Sequence, residues 1–254
     1  MITILSPAKR LLENPIEGEQ YTQPELLDET KILVEKLKGL DVHEIKDLMG
    51  VSESIAQLNH MRFRNFKIPL TGGNSFPALL GFQGDVYQNM QTDEYQSDDF
   101  EFAQKHLRIL SGLYGVLRPL DRIFPYRLEM GTSLQNERGK DHYQFWGSRI
   151  TDIISADLEG QREKILVNLA SSEYFRSIKL DELRGQLLNI HFKQWRGGKL
   201  KVIGLMAKRA RGMMADFIIR NRIEHAEDLH AFQEGGYRFT QELSSERDWV
   251  YVCG

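Results

Sequence analysis

The tract "LSGLYGVLRPLDRIFPYRLEMG", Leu110 to Gly131, sets the hardest condition on the fold of this chain. Its Leu, Val, Ile and Phe residues draw it toward a core. Arg118, Asp121, Arg122, Arg127 and Glu129 are costly to bury there unless each finds a partner. Either these charges pair with one another inside an irregular loop, or they face a polar cleft within the molecule. The chain's 254 residues and 41% hydrophobic content suffice for a core that could hold such a segment.

Formal net charge is -3, so no global pull toward polyanions exists, and any nucleic-acid role must rest on a local basic patch. The single cysteine, Cys253, excludes a disulfide framework and a cysteine-based metal site, which fits a reducing compartment. The opening "MITILSPAKR" is too short and lacks the basic region of a signal peptide. No run of about 18 apolar residues reads as a membrane span. A cytoplasmic, monomeric protein with no membrane partner is the expectation.

"MITILS" reads as a buried first strand ending at Ser6-Pro7. "PELLDETKILVEKL" predicts an amphipathic helix, with Pro24 in its first turn. Two short helices then meet at Gly50-Val51-Ser52, with Asp41 as an N-cap. "KIPLTGGNSFPALLGFQGD" reads as loop, and Asp98 or Asp99 caps a helix reaching Leu107. "HYQFWGSRITDIISADL" predicts one helix and "KILVNLAS" a doubly buried strand. "LLNIHFKQW" and "KLKVIGLMA" form a hairpin across Arg196-Gly197-Gly198. "KRARGMMADFIIRNR" is a helix, and "YRFTQEL" and "DWVYVCG" are closing strands. Strands and helices alternate throughout, so residues 1–254 are expected to form a single compact α/β (mixed α+β) domain with a mixed sheet.

Four stretches carry candidate chemistry. Residues 41–65 resemble a helix-hairpin-helix, with Leu48, Gly50, Val51 and Ala56 matching its pattern L-P-G-h-G-x-x-x-A. Such a hairpin offers backbone N–H groups to a DNA phosphate without reading sequence. Ser52 replaces the second glycine, Glu53 adds a negative charge, and a hairpin that only packs satisfies the same pattern. "SPAK", Ser6 to Lys9, stands at the carboxyl end of the first strand and suits anion binding better than acyl transfer. On "AKRARGMMADFIIRNR", Lys208, Arg209, Arg211, Arg220 and Arg222 flank an apolar stripe. That arrangement serves either repeated phosphate contacts or an ordinary solvated face. "NLASSEYF" delivers Asn168, Ser171, Ser172 and Glu173 to a strand's carboxyl end, where either a ligand or a helix cap would use them.

The seven histidines show no metal-ligand spacing, and neither a Walker motif nor G-x-G-x-x-G occurs, so no metal or cofactor is expected.

Taken in order, "LSPAK", "GDVY", "LSGLYGVLRPLD", "PYRLEMG", "QFWG", "NLAS" with "EYF", and "AKRARG" resemble the YaaA family of peroxide stress resistance proteins along nearly the whole chain. The resemblance implies a cytosolic protein with one mixed α/β domain of unusual topology, a basic cleft and a helix-hairpin-helix. It also implies DNA binding and protection against hydrogen peroxide, partly by limiting free iron, and no firm enzymatic reaction. On that footing Lys9, Arg118, Arg127, Lys208, Arg209 and Arg211 are candidate DNA contacts, and Gly50, Val51 and Ser52 form the hairpin turn. Tyr114 and Tyr126 offer stacking surfaces to unpaired or distorted DNA. The competing reading is an enzyme for a nucleotide, nucleobase or other small anion. Its pocket would draw on Ser6, Tyr114, Tyr126, Asn168, Ser171 and Glu173.

Overall fold

Ile2–Leu5 forms the first strand, β1, and all four of its side chains are buried. A strand apolar on both faces belongs inside a sheet that is covered on both sides. The structure, a computed structural model, describes residues 1–16 and 21–254.

The next elements are β2 (Arg10–Leu11), α1 (Leu27–Lys38), α2 (Val42–Met49), α3 (Glu53–Arg64), β3 (Phe76–Pro77), α4 (Ala78–Gly81) and β4 (Phe82–Gln83). They are followed by α5 (Ser97–His106), β5 (Leu107–Ser111), β6 (Gly115–Leu117), β7 (Arg122–Ile123), α6 (His142–Trp146) and α7 (Arg149–Glu159). The chain continues through β8 (Ile165–Asn168), α8 (Ser172–Phe175), β9 (Gln186–Arg196), β10 (Lys199–Lys201) and α9 (Gly204–Arg220). It closes with β11 (Arg238–Phe239) and β12 (Asp248–Cys253).

The main sheet runs β11-β12-β9-β8-β1-β5-β6, with β10 added to β9. Its centre, β12-β9-β8-β1-β5, is parallel, while β6, β10 and β11 pair antiparallel. This is a single α/β domain with a mixed sheet. From β1 the chain adds β5 on one side and β8 on the other. The carboxyl ends of β1 and β8 therefore flank the point where strand order reverses, the usual place for a ligand crevice in an open α/β sheet. Two small ribbons, β2 with β4 and β3 with β7, fasten the long excursion between β1 and β5.

Local signals explain many boundaries. Asp41 caps α2 in a reciprocal box with Glu44, and Ser52 accepts the Ile55 N–H at the start of α3. Other boundaries differ from expectation. The first long helix begins at Leu27 rather than in the turn after Pro24. Gln96, not Asp98 or Asp99, is the N-cap of α5, and Asp99 accepts the Gln96 N–H from inside the first turn. Gly147, at φ 55°, splits the helix expected across residues 142–158 into α6 and α7. The residue 67–85 "loop" contains β3, α4 and β4. The expected strand "KLKVIGLMA" ends at Lys201 and passes into α9, and "YRFTQEL" pairs only over Arg238–Phe239.

No helix among the described residues is long and apolar enough to cross a membrane.

Candidate functional site

At the reversal point lies a cavity of about 640 Å³. Its lining comes from the end of β1 (Ser6 to Lys9), the segment after β4 (Gly84 to Gln88) and the run Tyr126 to Glu129. Leu169, Ser171, Glu173 and Tyr174 close one side, and Lys208 and Arg211 of α9 cover another.

The walls are built by hydrogen bonds and close approaches. Pro7 cannot extend the ladder, so β1 stops. The Ser6 hydroxyl accepts the Ser171 N–H at 2.8 Å and donates to the Ser171 hydroxyl at 3.2 Å, joining the ends of β1 and β8. Tyr87 donates to the Ser6 carbonyl at 2.9 Å, which fixes the opposite wall. Gly84 touches Ala8, where a Cβ at 84 would lie only 3.0 Å from the alanine methyl. Tyr87, Tyr126 and Tyr174 are buried in the floor, and that burial raises the pKa of each phenol above its ordinary value. The Tyr126 hydroxyl pairs with Ser111 at 2.6 Å.

The charges divide unevenly. Lys9 reaches Glu129 at 2.8 Å, and Arg127 reaches the same carboxylate at 3.2 Å. Two cations thus share one acid, and the buried Nε of Arg127 has no partner. Glu173 is engaged by the Gly131 N–H at 2.9 Å. Lys208 and Arg211 lie three residues apart on one face of α9. No carboxylate among the described residues pairs with either. The Nε of Arg211 is buried without a hydrogen-bond partner, and burial lowers the pKa of its guanidinium. An unpaired, half-buried cation with an enclosed Nε is a costly feature that an anionic ligand would relieve. The arrangement can hold a phosphate or carboxylate against Arg211, with Lys208 and Lys9 at the rim.

The structure therefore brings together Ser6, Lys9, Tyr126, Arg127, Ser171, Glu173, Lys208 and Arg211, drawn from both competing site readings, in one cavity. Others fall outside it. Tyr114 is wholly buried, stacked edge-on to Tyr126 with its hydroxyl accepting the Phe124 N–H, so it offers no ring face to a base. Asn168 is absorbed by Asn189 and the Ala170 N–H. Arg209 leans toward Asp85 at 3.8 Å. Arg118 answers the opening puzzle differently from Arg127. It clamps buried Asp121 at 3.0 Å, donates to the Gln23 carbonyl and meets Glu25, an internal network away from the cavity. Arg122 is buried as well, donating to the Ile16 and Ser75 carbonyls.

Arg220, the last residue of α9, binds Glu94, and Arg222, which stands beyond the helix end at φ 54° rather than on it, binds Asp99, so both serve packing. Asp216 is the one acid between Lys208 and Arg222. It is buried, accepting from the Gln91 N–H at 2.9 Å and the Tyr95 hydroxyl at 2.8 Å. The sequence reading passes over Arg10 and Asp85, and Tyr87 enters it only within "GDVY", where a glycine followed by polar and aromatic groups is the signal of a shaped wall.

The α2–α3 hairpin turns as expected, with Gly50 left-handed at φ 59°. Its Gly50 and Val51 N–H groups both bond the Lys46 carbonyl, so they point inward rather than toward a phosphate. In the first turn of α3 the Ile55 N–H is taken by the Ser52 hydroxyl, which leaves the N–H groups of Glu53 and Ser54 for a phosphate. Glu53, which stands there, is paired with Lys46 at 3.2 Å, which offsets its charge. Arg64 and Lys67 are exposed beyond it, and Arg62 lies near Glu13, in the bend after β2.

Among the described residues no group of three His, Cys, Asp or Glu side chains is placed to hold a metal ion. The family model described as "Peroxide stress protein YaaA" matches residues 1–243.

Proposed function

We propose that this chain, which belongs to the peroxide stress protein YaaA family, serves the oxidative stress response by binding DNA without sequence preference, sheltering it and limiting iron-driven damage. The observation that carries the reading is Arg211, half-buried with an enclosed Nε and no acidic partner among the described residues, set beside Lys208 at a cavity mouth that Lys9 and Arg127 also line. Bidentate guanidinium and mobile ammonium groups in one mouth suit phosphodiester oxygens. The α2–α3 hairpin, with Arg64 and Lys67 exposed beyond it, supplies a second backbone contact. A cavity of about 640 Å³ is far narrower than a duplex, so it receives a phosphate or a single unpaired nucleotide while the duplex rests on the rim.

That same volume favours a second reading, a free nucleotide or other small anion held in the cavity, with Ser6 and Glu173 as its polar contacts.

Fluorescence anisotropy with labelled duplex, bulged and single-stranded DNA at two salt concentrations separates the two. DNA binding through phosphates weakens steeply as salt rises. Binding that ignores salt, or full displacement of DNA by a mononucleotide at low concentration, would move the function to a small ligand.

A further inference from the structure

Between Glu182 and Asp216 the sequence contains no acidic residue, yet it carries Arg184, Lys193, Arg196, Lys199, Lys201, Lys208, Arg209 and Arg211. In a chain of net charge -3 this is the longest one-sided block around the cavity. Arg184 is taken by Glu159 and Arg209 by Asp85. Lys208 and Arg211 belong to the cavity. The β9–β10 hairpin holds the rest, and none of Arg196, Lys199 and Lys201 pairs with an acid among the described residues.

Register sorts its two faces. Lys199 lies opposite Arg196, Leu200 opposite Trp195 and Lys201 opposite Gln194. Directly opposed residues share a face, so Arg196, Lys199 and Lys201 form one cationic face, and Trp195 and Leu200, with Lys193 two residues before Trp195, form the other. Trp195 is 52% exposed and Val202 61% exposed, so much of that apolar side stands open to solvent. Gly197 and Gly198, both at positive φ, make the turn narrow. The ribbon passes into α9 within three residues. Lys201 is therefore on the order of 17 Å or less from Lys208, about five phosphates along one DNA strand.

We infer that the β9–β10 hairpin is a wing that grips the DNA backbone beside the cavity, with Arg196, Lys199 and Lys201 on successive phosphates. A two-stranded ribbon is slim enough to enter the major groove, which would enclose the apolar face as well. This inference rests on the DNA-binding reading above. Charge chooses the partner: three unpaired cations on a regular ladder match a polyanion with regular spacing.

The test is the salt dependence of duplex binding by the full chain and by the variant Arg196→Ser/Lys199→Ser/Lys201→Ser, with Lys208→Glu/Arg211→Glu in parallel. All three wing residues are exposed, so the unfolding midpoint should not move. Each lost phosphate contact flattens the slope of log affinity against log salt by about 0.9, so the wing variant should be shallower by roughly 2 to 3. Lys199→Ser alone should be shallower by about 1. If the wing variant keeps the parent slope while Lys208→Glu/Arg211→Glu loses binding, the wing is wrong and the cavity reading stands. If the parent chain binds no duplex, both fall. Loss of binding to phosphatidylserine vesicles by the wing variant, with its DNA slope unchanged, would overturn the wing in favour of a membrane surface.

Discussion

Gly212 of α9 lies directly against the carbonyl of Val86, so closely that any side chain at 212 would collide with that oxygen. This contact sets α9 at the height from which Lys208 and Arg211 reach the cavity, and it brings the Gly84–Gln88 wall under the helix. Gly212→Ala should force the helix away from the wall and cost about 1–3 kcal/mol, as overpacking does. At roughly 2–4 °C per kcal/mol for a chain of this size, thermal unfolding will register it. DNA affinity should fall with it, because the rim cations move.

Asp216 should matter for stability and only indirectly for binding. Its carboxylate satisfies the Gln91 N–H and the Tyr95 hydroxyl inside the protein. Asp216→Ala leaves the buried Tyr95 hydroxyl and the partly buried Gln91 N–H unmet, at about 3 kcal/mol. Tyr95→Phe removes a single donor and should cost less. Urea unfolding of the two variants checks the order, and equal losses would contradict the assignment.

Two histidines give the protein a pH limit. His142 is fully buried with one ring nitrogen against the Thr132 carbonyl at 2.7 Å, and His106 is buried against the Met1 carbonyl. Burial lowers the pKa of both below the ordinary 6.5. The unfolded chain then binds more protons than the native one once pH drops below about 6.5. Stability is therefore constant with respect to these groups above that pH and is lost below it, by up to about 1.4 kcal/mol per pH unit for each histidine. Unfolding measured from pH 7.5 to 5 should show that decline, and His142→Gln should flatten it.

The hairpin prediction concerns a single charge. Lys46 and Glu53 pair across the α2–α3 turn, beside the open N–H groups of the first turn of α3. If a phosphate docks there, Glu53→Gln removes a repulsion and frees Lys46. DNA affinity should rise a few-fold at low salt, with the unfolding midpoint little changed. An unchanged affinity would mark the hairpin as a packing element.

How far the sequence exposed this arrangement can be judged residue by residue. Asp41, Ser52, the Arg196-Gly197-Gly198 turn and the first strand were legible because capping, turn chemistry and apolar runs act locally. The break at Gly147 was not, because "HYQFWGSRITDIISADL" keeps helical spacing through a glycine whose positive φ only tertiary packing imposes. The cavity was half legible. Ser6 and Ser171 could be placed at strand ends, but their hydrogen bond depends on β1 and β8 being neighbours, which no local pattern states. Arg118 and Arg127 look alike in sequence, nine residues apart in one tract. Only the position of Asp121, bonded by Thr22 and the Arg118 N–H in the interior, separates the structural arginine from the one at the cavity.

The most direct measurement pairs binding with stability in Arg211→Met, which keeps most of the side chain's bulk and removes the charge. Arg211 has a buried Nε without a partner and no acidic neighbour, so the fold gains little from its charge. The account predicts that DNA affinity falls about 10- to 100-fold, the worth of one charge-assisted contact. The unfolding midpoint should hold or rise, because a half-buried, unpaired cation has been removed. A midpoint lowered by several degrees with DNA affinity unchanged would contradict it, and would make Arg211 part of the scaffold.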